Sequence, residues 1–188
     1  TFTQSANGSH RQDYLLAVSD IYVQKNFKNL LLAFSKLLVN NPDIQLKIAG
    51  RPIDLEYLQE LQAIVTEKKL EKNVEFLGSL NVDELIALYQ KCGVFVFPST
   101  VETFGNPLVE AMACGAPITC SNAAAMPEVL GNAGIYFDPN NINDIADKLS
   151  QLLTSSDLRK RYSNEAEKRS REFSWEKTEA KTKLVFQA

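Results

Sequence analysis

Short apolar runs alternate with amphipathic segments along most of the chain. The runs end at Gly, Pro, Asn or Ser, and this combination predicts buried strands of a parallel sheet. The predicted strands span residues 15–18, 44–49, 74–77, 94–97, 118–120 and 135–137. Strands that alternate in this way with helices indicate an α/β fold.

The segments between the runs carry apolar residues at the 3.6-residue period of a helix. Three stripes predict helices: Leu30, Phe34, Leu37 and Leu38; Leu55, Leu58, Leu61, Ile64 and Val65; and Ile142, Ile145, Ala146, Leu149, Leu152 and Leu153. Asn81 and Glu84 have the spacing of a capping box and predict a further helix through Tyr89. The fold class that follows is a Rossmann-like, doubly wound parallel sheet of about six strands flanked by helices.

The domain organisation follows from the same pattern. Residues 1–13 are interpreted as a polar lead-in from an interdomain linker or a preceding segment, and residues 14–188 as one domain. The chain starts at Thr1 without a basic-then-apolar signal segment, so we expect it to be a fragment of a longer protein.

Composition and charge exclude several classes of protein. The 188 residues are 45% hydrophobic and 23% charged, which excludes disordered and low-complexity chains, and no apolar run is long enough to span a bilayer. A net charge of −3 argues against a nucleic-acid partner. Cys92, Cys114 and Cys120 form no CxxC motif and predict buried thiols in a reducing compartment, while His10 alone cannot build a zinc site.

The C-terminal stretch 157–183 is densely charged with mixed signs. The pattern predicts a solvent-exposed helix face with pairs of opposite charge rather than a nucleic-acid contact. Within this stretch, Trp175 is interpreted as a packing anchor for the last helix.

Ligands of open parallel sheets bind beyond the carboxyl ends of the strands, which selects the loops 19–29, 50–53, 78–81 and 98–106. The last loop is the most informative. Asn106 is predicted to be the N-cap of a helix with Pro107 at its first position, and Gly105 lets the backbone approach a ligand closely. A helix start of this kind attracts phosphate.

Charged residues in these loops suggest which ligand binds. Glu102 and Glu110 suit sugar hydroxyls, although Glu102 could instead be a solvated loop residue and Glu110 could simply complement the helix dipole. Lys25, with Lys28 as the second choice, and Arg51 could neutralise phosphate or be ordinary surface residues. The chain contains no GxG, no P-loop, no DxD and no GxSxG motif. The residues therefore predict a ligand with phosphate and sugar groups, bound without a metal.

The segment PSTVETFGNPLVEAMACGAPI at 98–118 closely resembles the E-x7-E signature of retaining glycosyltransferases with the GT-B fold, group 1 or family 4. The resemblance extends over residues 15–175 and includes the motifs SDIYVQKN, LKIAG, NVEFLGSL, MPEVLGNAGIYFDPNN and FSWEKT. It covers the C-terminal half of such enzymes, which binds the nucleotide sugar. Residues 14–188 would then be the donor-binding domain.

The resemblance implies roles for individual residues. Lys25 would hold the donor diphosphate, Glu110 the ribose hydroxyls and Glu102 the hydroxyls of the transferred sugar, with Glu102 and Lys25 as the catalytic pair. Backbone groups would complete the site: Phe104, Gly105 and Asn106 at the sugar, Pro107 and Leu108 at the phosphates, Gly78 to Leu80 at the base, and Gly50, Arg51 and Pro52 near the nucleotide.

The activity implied by the resemblance is transfer of a hexose, with retention, from a nucleotide-diphosphate sugar to a saccharide or lipid-linked acceptor. UDP-glucose is the favoured donor and polysaccharide biosynthesis the expected context, with neither a metal nor another cofactor. The expected partner is an N-terminal acceptor-binding domain of the same polypeptide, without which the fragment would transfer little. The expected location is cytoplasmic, and association of the full-length protein with a membrane is left open. Two alternatives are a non-catalytic sugar-nucleotide-binding or regulatory module and another GT-B enzyme, such as a nucleotide-sugar epimerase.

One position departs from the family pattern. Many members carry an arginine five residues before the lysine, where this chain has Asp20. A carboxylate next to a diphosphate is unfavourable because like charges repel. Asp20 could point away from the ligand or bind another group, or Arg51 could partly replace the missing cation.

Overall fold

One parallel sheet of six strands organises the residues that the computed structural model describes, 2–3 and 11–186. The strands in chain order are β1 (Gln12–Val18), β2 (Gln45–Ala49), β3 (Val74–Gly78), β4 (Cys92–Phe97), β5 (Ile118–Ser121) and β6 (Ile135–Phe137). Their order across the sheet is β3-β2-β1-β4-β5-β6, and every neighbouring pair is parallel. This is the Rossmann-like doubly wound sheet that the sequence predicts.

The predicted strands are all present, with small differences at their ends. β1 begins at Gln12 rather than at residue 15, inside the predicted lead-in 1–13, and β4 begins at Cys92 rather than at residue 94. The first residues of these two strands, Gln12 and Cys92, lie opposite each other in the sheet. Apolar runs do not reveal such polar strand ends, because the ladder uses backbone groups that every residue but proline carries.

Eight helices and one 3-10 turn connect the strands within the described residues. The helices are α1 (Phe27–Leu37), α2 (Leu55–Glu67), α3 (Val82–Lys91), α4 (Asn106–Ala113), α5 (Met126–Leu130), α6 (Ile142–Thr154), α7 (Ser156–Ser170) and α8 (Trp175–Phe186), and the 3-10 turn is Val23–Lys25. Residues of α1, α2 and α6 share one hydrophobic cluster with one face of the sheet. Residues of α3, α4, α5 and α7 share the cluster on the opposite face.

The predicted apolar stripes form the buried faces of α1, α2 and α6, with one exception. Leu55 was expected in the α2 stripe, but it is 62% exposed, because it begins the helix at the open carboxyl edge of the sheet. The predicted capping box is confirmed: the Asn81 side chain accepts a hydrogen bond from the Glu84 N–H, and the Glu84 carboxylate accepts one from the Asn81 N–H.

The charged C-terminal stretch forms α7 and α8, and ion pairs one turn apart confirm its predicted character. These pairs are Lys168–Glu165, Arg169–Glu172, Arg171–Glu167 and Lys183–Glu179. The three cysteines are buried free thiols, and burial raises the pKa of Cys92 and of Cys114 to about 12. His10 and the Trp175 side chain lie outside the described residues. No helix among the described ones is both long and apolar enough to cross a membrane.

The strand order reverses between β1 and β4. The chain leaves β1 and runs to one side of the sheet, whereas it leaves β4 and runs to the other, so the loops that follow these two strands diverge. A crevice opens between them at the carboxyl edge, and this is where doubly wound folds bind ligands.

Candidate functional site

A cavity of about 420 Å³ lies at this reversal of strand order. Most of the predicted binding residues line it: Lys25, Gly50, Arg51, Leu80, Glu102, Phe104, Gly105, Asn106 and Pro107. They come from the loops that follow β1, β2, β3 and β4 and from the start of α4. The sheet therefore brings together residues up to 82 positions apart in the sequence, Lys25 and Pro107 being the extremes.

Four predicted residues do not line this cavity: Pro52, Gly78, Leu108 and Glu110. Pro52 forms a bridge with Ile21, and the Gly78 carbonyl accepts a 2.8 Å hydrogen bond from the Gly50 N–H. The Leu108 side chain is buried in the core. In this structure Pro52 and Gly78 hold the loops that form the cavity wall.

Lys25 ends the 3-10 turn that follows β1, and it is only 7% exposed. Its Nζ donates a 2.5 Å hydrogen bond to Glu102 Oε1 and lies 5.0 Å from the centre of the Tyr22 ring. Burial alone lowers the pKa of Lys25, but the hydrogen bonds and charge of Glu102 and Tyr22 outweigh it, so the pKa is raised. Lys25 is therefore a buried, fully charged ammonium group.

Asn26 holds the lysine loop in place, and the sequence analysis missed it. Its backbone is left-handed, with φ of 57°, and its Nδ2 donates to the carbonyls of Pro98 and Pro139 at 3.1 and 2.9 Å. The loop after β1 is thereby tied to the loops after β4 and β6. Asparagine is among the few residue types that readily adopt this conformation, and that preference was the available signal.

The start of α4 differs by one residue from the prediction. Gly105 is the N-cap, with φ of 86°, so the prediction of Asn106 as N-cap was wrong: Asn106 is the first helical residue and Pro107 the second. The reason is the backbone, because the left-handed conformation suits glycine and a Cβ at Gly105 would lie 3.2 Å from the Phe97 ring. The helix start still lines the cavity.

The two carboxylates of the E-x7-E pattern have different surroundings. The Glu102 side chain is 14% exposed and paired with Lys25, which excludes the interpretation of Glu102 as a solvated loop residue. Glu110 is half-buried beyond the first turn of α4 and accepts a 3.1 Å hydrogen bond from Tyr89 Oη. Burial raises the pKa of Glu110, and the Tyr89 hydrogen bond partly opposes that change. Tyr89 had no sequence signal, because only the fold brings α3 and α4 together.

Asp20 binds another group, the second of the three possibilities that the sequence left open. Its Oδ1 accepts from the Arg51 backbone N–H at 3.0 Å and from Arg51 Nε at 3.3 Å, and its Oδ2 accepts from Nη2 at 2.8 Å. The hydrogen bond from the Arg51 side chain lowers the pKa of Asp20, and the positive charges of Arg51 and Lys25 lower it further.

The cavity is lined by four charged side chains among the described residues: Asp20, Lys25, Arg51 and Glu102. They form two ion pairs, so the charged lining is formally neutral. The positive end of α4 adds partial charge without a counterion. Outside the undescribed residues 1, 4–10 and 187–188, no group of three or more side chains is arranged to hold a metal ion.

Comparisons with known proteins identify the family of this fold and site. The family described as "Glycosyl transferases group 1" matches residues 2–169. The O-antigen chain mannosyltransferase B of Escherichia coli is 32% identical over 175 residues, which are 91% of this chain and 45% of that protein. The chain thus spans less than half the length of this curated relative.

Solved structures share the fold. The crystal structure of the C-terminal domain of a group 1 glycosyl transferase from Francisella tularensis is 26% identical with a TM-score of 0.79, and the match covers 91% of this chain and 94% of that domain. HepE from Anabaena in complex with UDP and glucose is 21% identical with a TM-score of 0.83, over 93% of this chain and 48% of that one.

Proposed function

Because the chain belongs to the group 1 glycosyl transferase family and matches the extent of a C-terminal domain, we propose that it is the donor-binding half of a retaining hexosyl transferase. Its ligand is a nucleotide-diphosphate sugar. The observation that carries this proposal is the convergence of Lys25, Glu102 and the start of α4 on one cavity at the reversal of strand order.

The diphosphate lies between Lys25 and the start of α4 in the proposed complex. An ammonium group has three N–H donors, and Glu102 and Tyr22 take one each, so one remains for a phosphate oxygen. The backbone of Pro107 and Leu108 faces the phosphates, and Glu102 with Phe104, Gly105 and Asn106 faces the sugar. Of the remaining residues, Ser79 and Leu80 line the cavity at the proposed place of the base, and Gly50 and Arg51 line it near the nucleotide. The resemblance alone assigns Glu110 to the ribose hydroxyls, Gly78 to the base and Pro52 to the surroundings of the nucleotide.

The chemical step breaks the bond between the anomeric carbon and a diphosphate oxygen. Negative charge then develops on the leaving diphosphate, and Lys25 and the α4 dipole stabilise it because they are already in place. This arrangement supports a reaction without a metal ion or other cofactor. The acceptor oxygen forms the new bond to the anomeric carbon with retention, and its proton passes to the leaving diphosphate.

The identity of the sugar rests on two lines of support. The resemblance favours UDP-glucose, whereas the 32% identical relative is named a mannosyltransferase. Glucose and mannose differ only in the configuration of one hydroxyl, so a hexosyl group is common to both. Transfer activity in the full-length protein separates this function from a non-catalytic binding module, and the product separates it from an epimerase.

The proposed partner is an acceptor-binding N-terminal domain of the same polypeptide. Apolar side chains that are largely exposed here support this: Val23, Ile53, Leu55 and Val101 follow β1, β2 and β4 at the carboxyl edge of the sheet. Apolar surface of this kind is typical of a face that another domain covers. The acceptor is a saccharide or a lipid-linked acceptor, and the cytoplasmic location stays a prediction.

Thermal unfolding of the chain with UDP, GDP, ADP and CMP tests the proposed function. A nucleoside diphosphate at a hundredfold its Kd should stabilise the fold by about 2.7 kcal/mol. We expect one diphosphate to do so equally well with and without EDTA, and its UDP-glucose or GDP-mannose form to behave similarly. No stabilisation by any of the nucleotides would contradict a donor site in this chain, and a shift abolished by EDTA would contradict metal independence.

Glu110→Gln is expected to stabilise the ligand-free fold at pH 7. Burial raises the pKa of Glu110 above its ordinary value of 4.5, so the folded chain binds this proton more tightly than the unfolded chain. The associated stability is complete below pH 4.5 and is lost as pH rises through the raised pKa. The melting temperature of the variant should therefore exceed the wild-type value at pH 7. The difference should vanish below pH 4.5, where the Glu110 carboxyl is protonated in the folded chain.

The same variant should bind the nucleoside diphosphate about tenfold more weakly, because the amide replaces a charged acceptor for ribose hydroxyls. Glu71→Gln, on an exposed turn, is the matched control and should change neither quantity. Unchanged affinity in Glu110→Gln would remove the ribose role of Glu110.

A further inference from the structure

The ion pair between Asp20 and Arg51 lines the cavity and joins the loop after β1, which carries Asp20, to the loop after β2, which carries Arg51. We propose, on the basis of the proposed function, that Arg51 is the second cation for the donor diphosphate and that Asp20 is its positioning residue. Asp20 then replaces the family arginine by holding a guanidinium group that another loop supplies.

The backbone keeps the two residues together. The Ser19 N–H donates to the Ala49 carbonyl at 2.9 Å, and the Ile21 N–H donates to the Arg51 carbonyl at 2.7 Å. These bonds flank Asp20 on both sides and extend the pairing of β1 with β2 beyond the strand ends. The carboxylate and the guanidinium therefore start from neighbouring, fixed backbone positions.

The geometry of the pair leaves part of the guanidinium available. A guanidinium has five N–H donors, and Asp20 accepts from Nε and from one hydrogen of Nη2. The second Nη2 hydrogen and both on Nη1 have no hydrogen-bond partner within residues 2–3 and 11–186. The Arg51 side chain is 65% exposed and lines the cavity, so this free edge is accessible to a phosphate.

The charge on the ligand favours a second cation in the site. A nucleoside diphosphate carries at least two negative charges at neutral pH, and Lys25 supplies one positive charge that it shares with Glu102. Arg51 supplies the other cationic side chain of the cavity lining. Asp20 compensates part of that charge, but an exposed arginine without a partner samples many rotamers and loses more freedom when it binds.

The sign of the effect at Asp20 separates positioning from repulsion. If Asp20 only repels the diphosphate, Asp20→Ala should tighten binding. If Asp20 positions Arg51, Asp20→Ala should weaken binding even though a negative charge has been removed. The pair lies at the surface, so its loss should leave the melting temperature of the ligand-free chain nearly unchanged.

Calorimetric titration tests the proposal by comparing the binding of UDP with that of UMP, and the binding of GDP with that of GMP. The proteins titrated are the wild-type chain, Asp20→Ala, Arg51→Ala and the double variant. Arg51→Ala should lower the affinity for the nucleoside diphosphate by about tenfold and change the affinity for the monophosphate much less. Asp20→Ala should lower the affinity for the diphosphate severalfold. The double variant should have the same affinity as Arg51→Ala, because a positioning residue has no effect without the group that it positions.

Three results would overturn the proposal. Tighter diphosphate binding by Asp20→Ala would make Asp20 a repelling residue, and unchanged binding by Arg51→Ala would remove the second cation. Equal losses of affinity for the mono- and the diphosphate in Arg51→Ala would place Arg51 away from the β-phosphate. If the wild-type chain itself bound no nucleoside diphosphate, the proposed function would fail, and the role of Arg51 with it.

Discussion

Lys25→Ala should reduce the affinity of the chain for its nucleoside diphosphate by about 100-fold, and should also destabilise the ligand-free fold by about 3 kcal/mol. Both effects arise from the same pair, whose side chains are only 9% and 14% exposed. Without the ammonium group the phosphates lose their main cation, and Glu102 remains as a shielded carboxylate without a counterion. Calorimetric titration and denaturant unfolding measure the two effects separately.

Two variants serve as controls for this prediction. Lys28→Ala removes an exposed lysine that pairs with Glu60 outside the cavity, and it should change stability by no more than about 0.5 kcal/mol and affinity not at all. Combining Lys25→Ala with Glu102→Ala should restore much of the stability and none of the affinity, because the unpaired carboxylate is gone and the cation still missing. Normal diphosphate binding by Lys25→Ala would disprove the assigned role.

Gly50→Ala should destabilise the chain by about 3 kcal/mol or more and disrupt nucleotide binding. Gly50 has φ of 152°, and an added Cβ would lie 1.9 Å from the carbonyl oxygen of Ser19. That atom belongs to the backbone of the loop after β1, so the two loops must separate. Their separation would move Asp20 and Arg51 at the cavity wall.

Gly78→Ala is the matched control, one strand away at the same edge. Its φ of 68° also disfavours an alanine, but no atom lies within 4 Å of the added Cβ. Only the backbone strain should remain, so the free energy of unfolding should fall by roughly 1–2 kcal/mol. If denaturant unfolding gave the two variants equal stability, the close approach of the loops at Gly50 would be of no consequence.

The fold was predictable because its elements are encoded locally. Each strand is a short apolar run with a turn residue at its end, and the stripes of α1 and α6 fall on their buried faces. The rule for ligands at carboxyl edges then selected the loops that line the cavity. The N-cap of α4 could not be predicted in the same way, because both Gly105 and Asn106 are acceptable caps and only the backbone conformation decides between them.

The charge pairing of the site was not predictable from sequence. Lys25 and Glu102 are 77 positions apart, Asp20 and Arg51 are 31 apart, and Tyr89 and Glu110 are 21 apart. Neither periodicity nor motif spacing indicates which charged side chains of different loops meet. The resemblance assigned Lys25 and Glu102 to different parts of the ligand, whereas the ligand-free chain pairs them with each other. In the proposed complex, the donor would therefore share or separate this pair.

A crystal structure of the chain with the nucleoside diphosphate that stabilises it would show whether the diphosphate binds at Lys25 and the start of α4. We expect the diphosphate to lie between Lys25 Nζ and the first turn of α4, with a phosphate oxygen within hydrogen-bond distance of Nζ. A nucleotide bound elsewhere on the chain, with no phosphate oxygen near Lys25 Nζ, would contradict the proposed function.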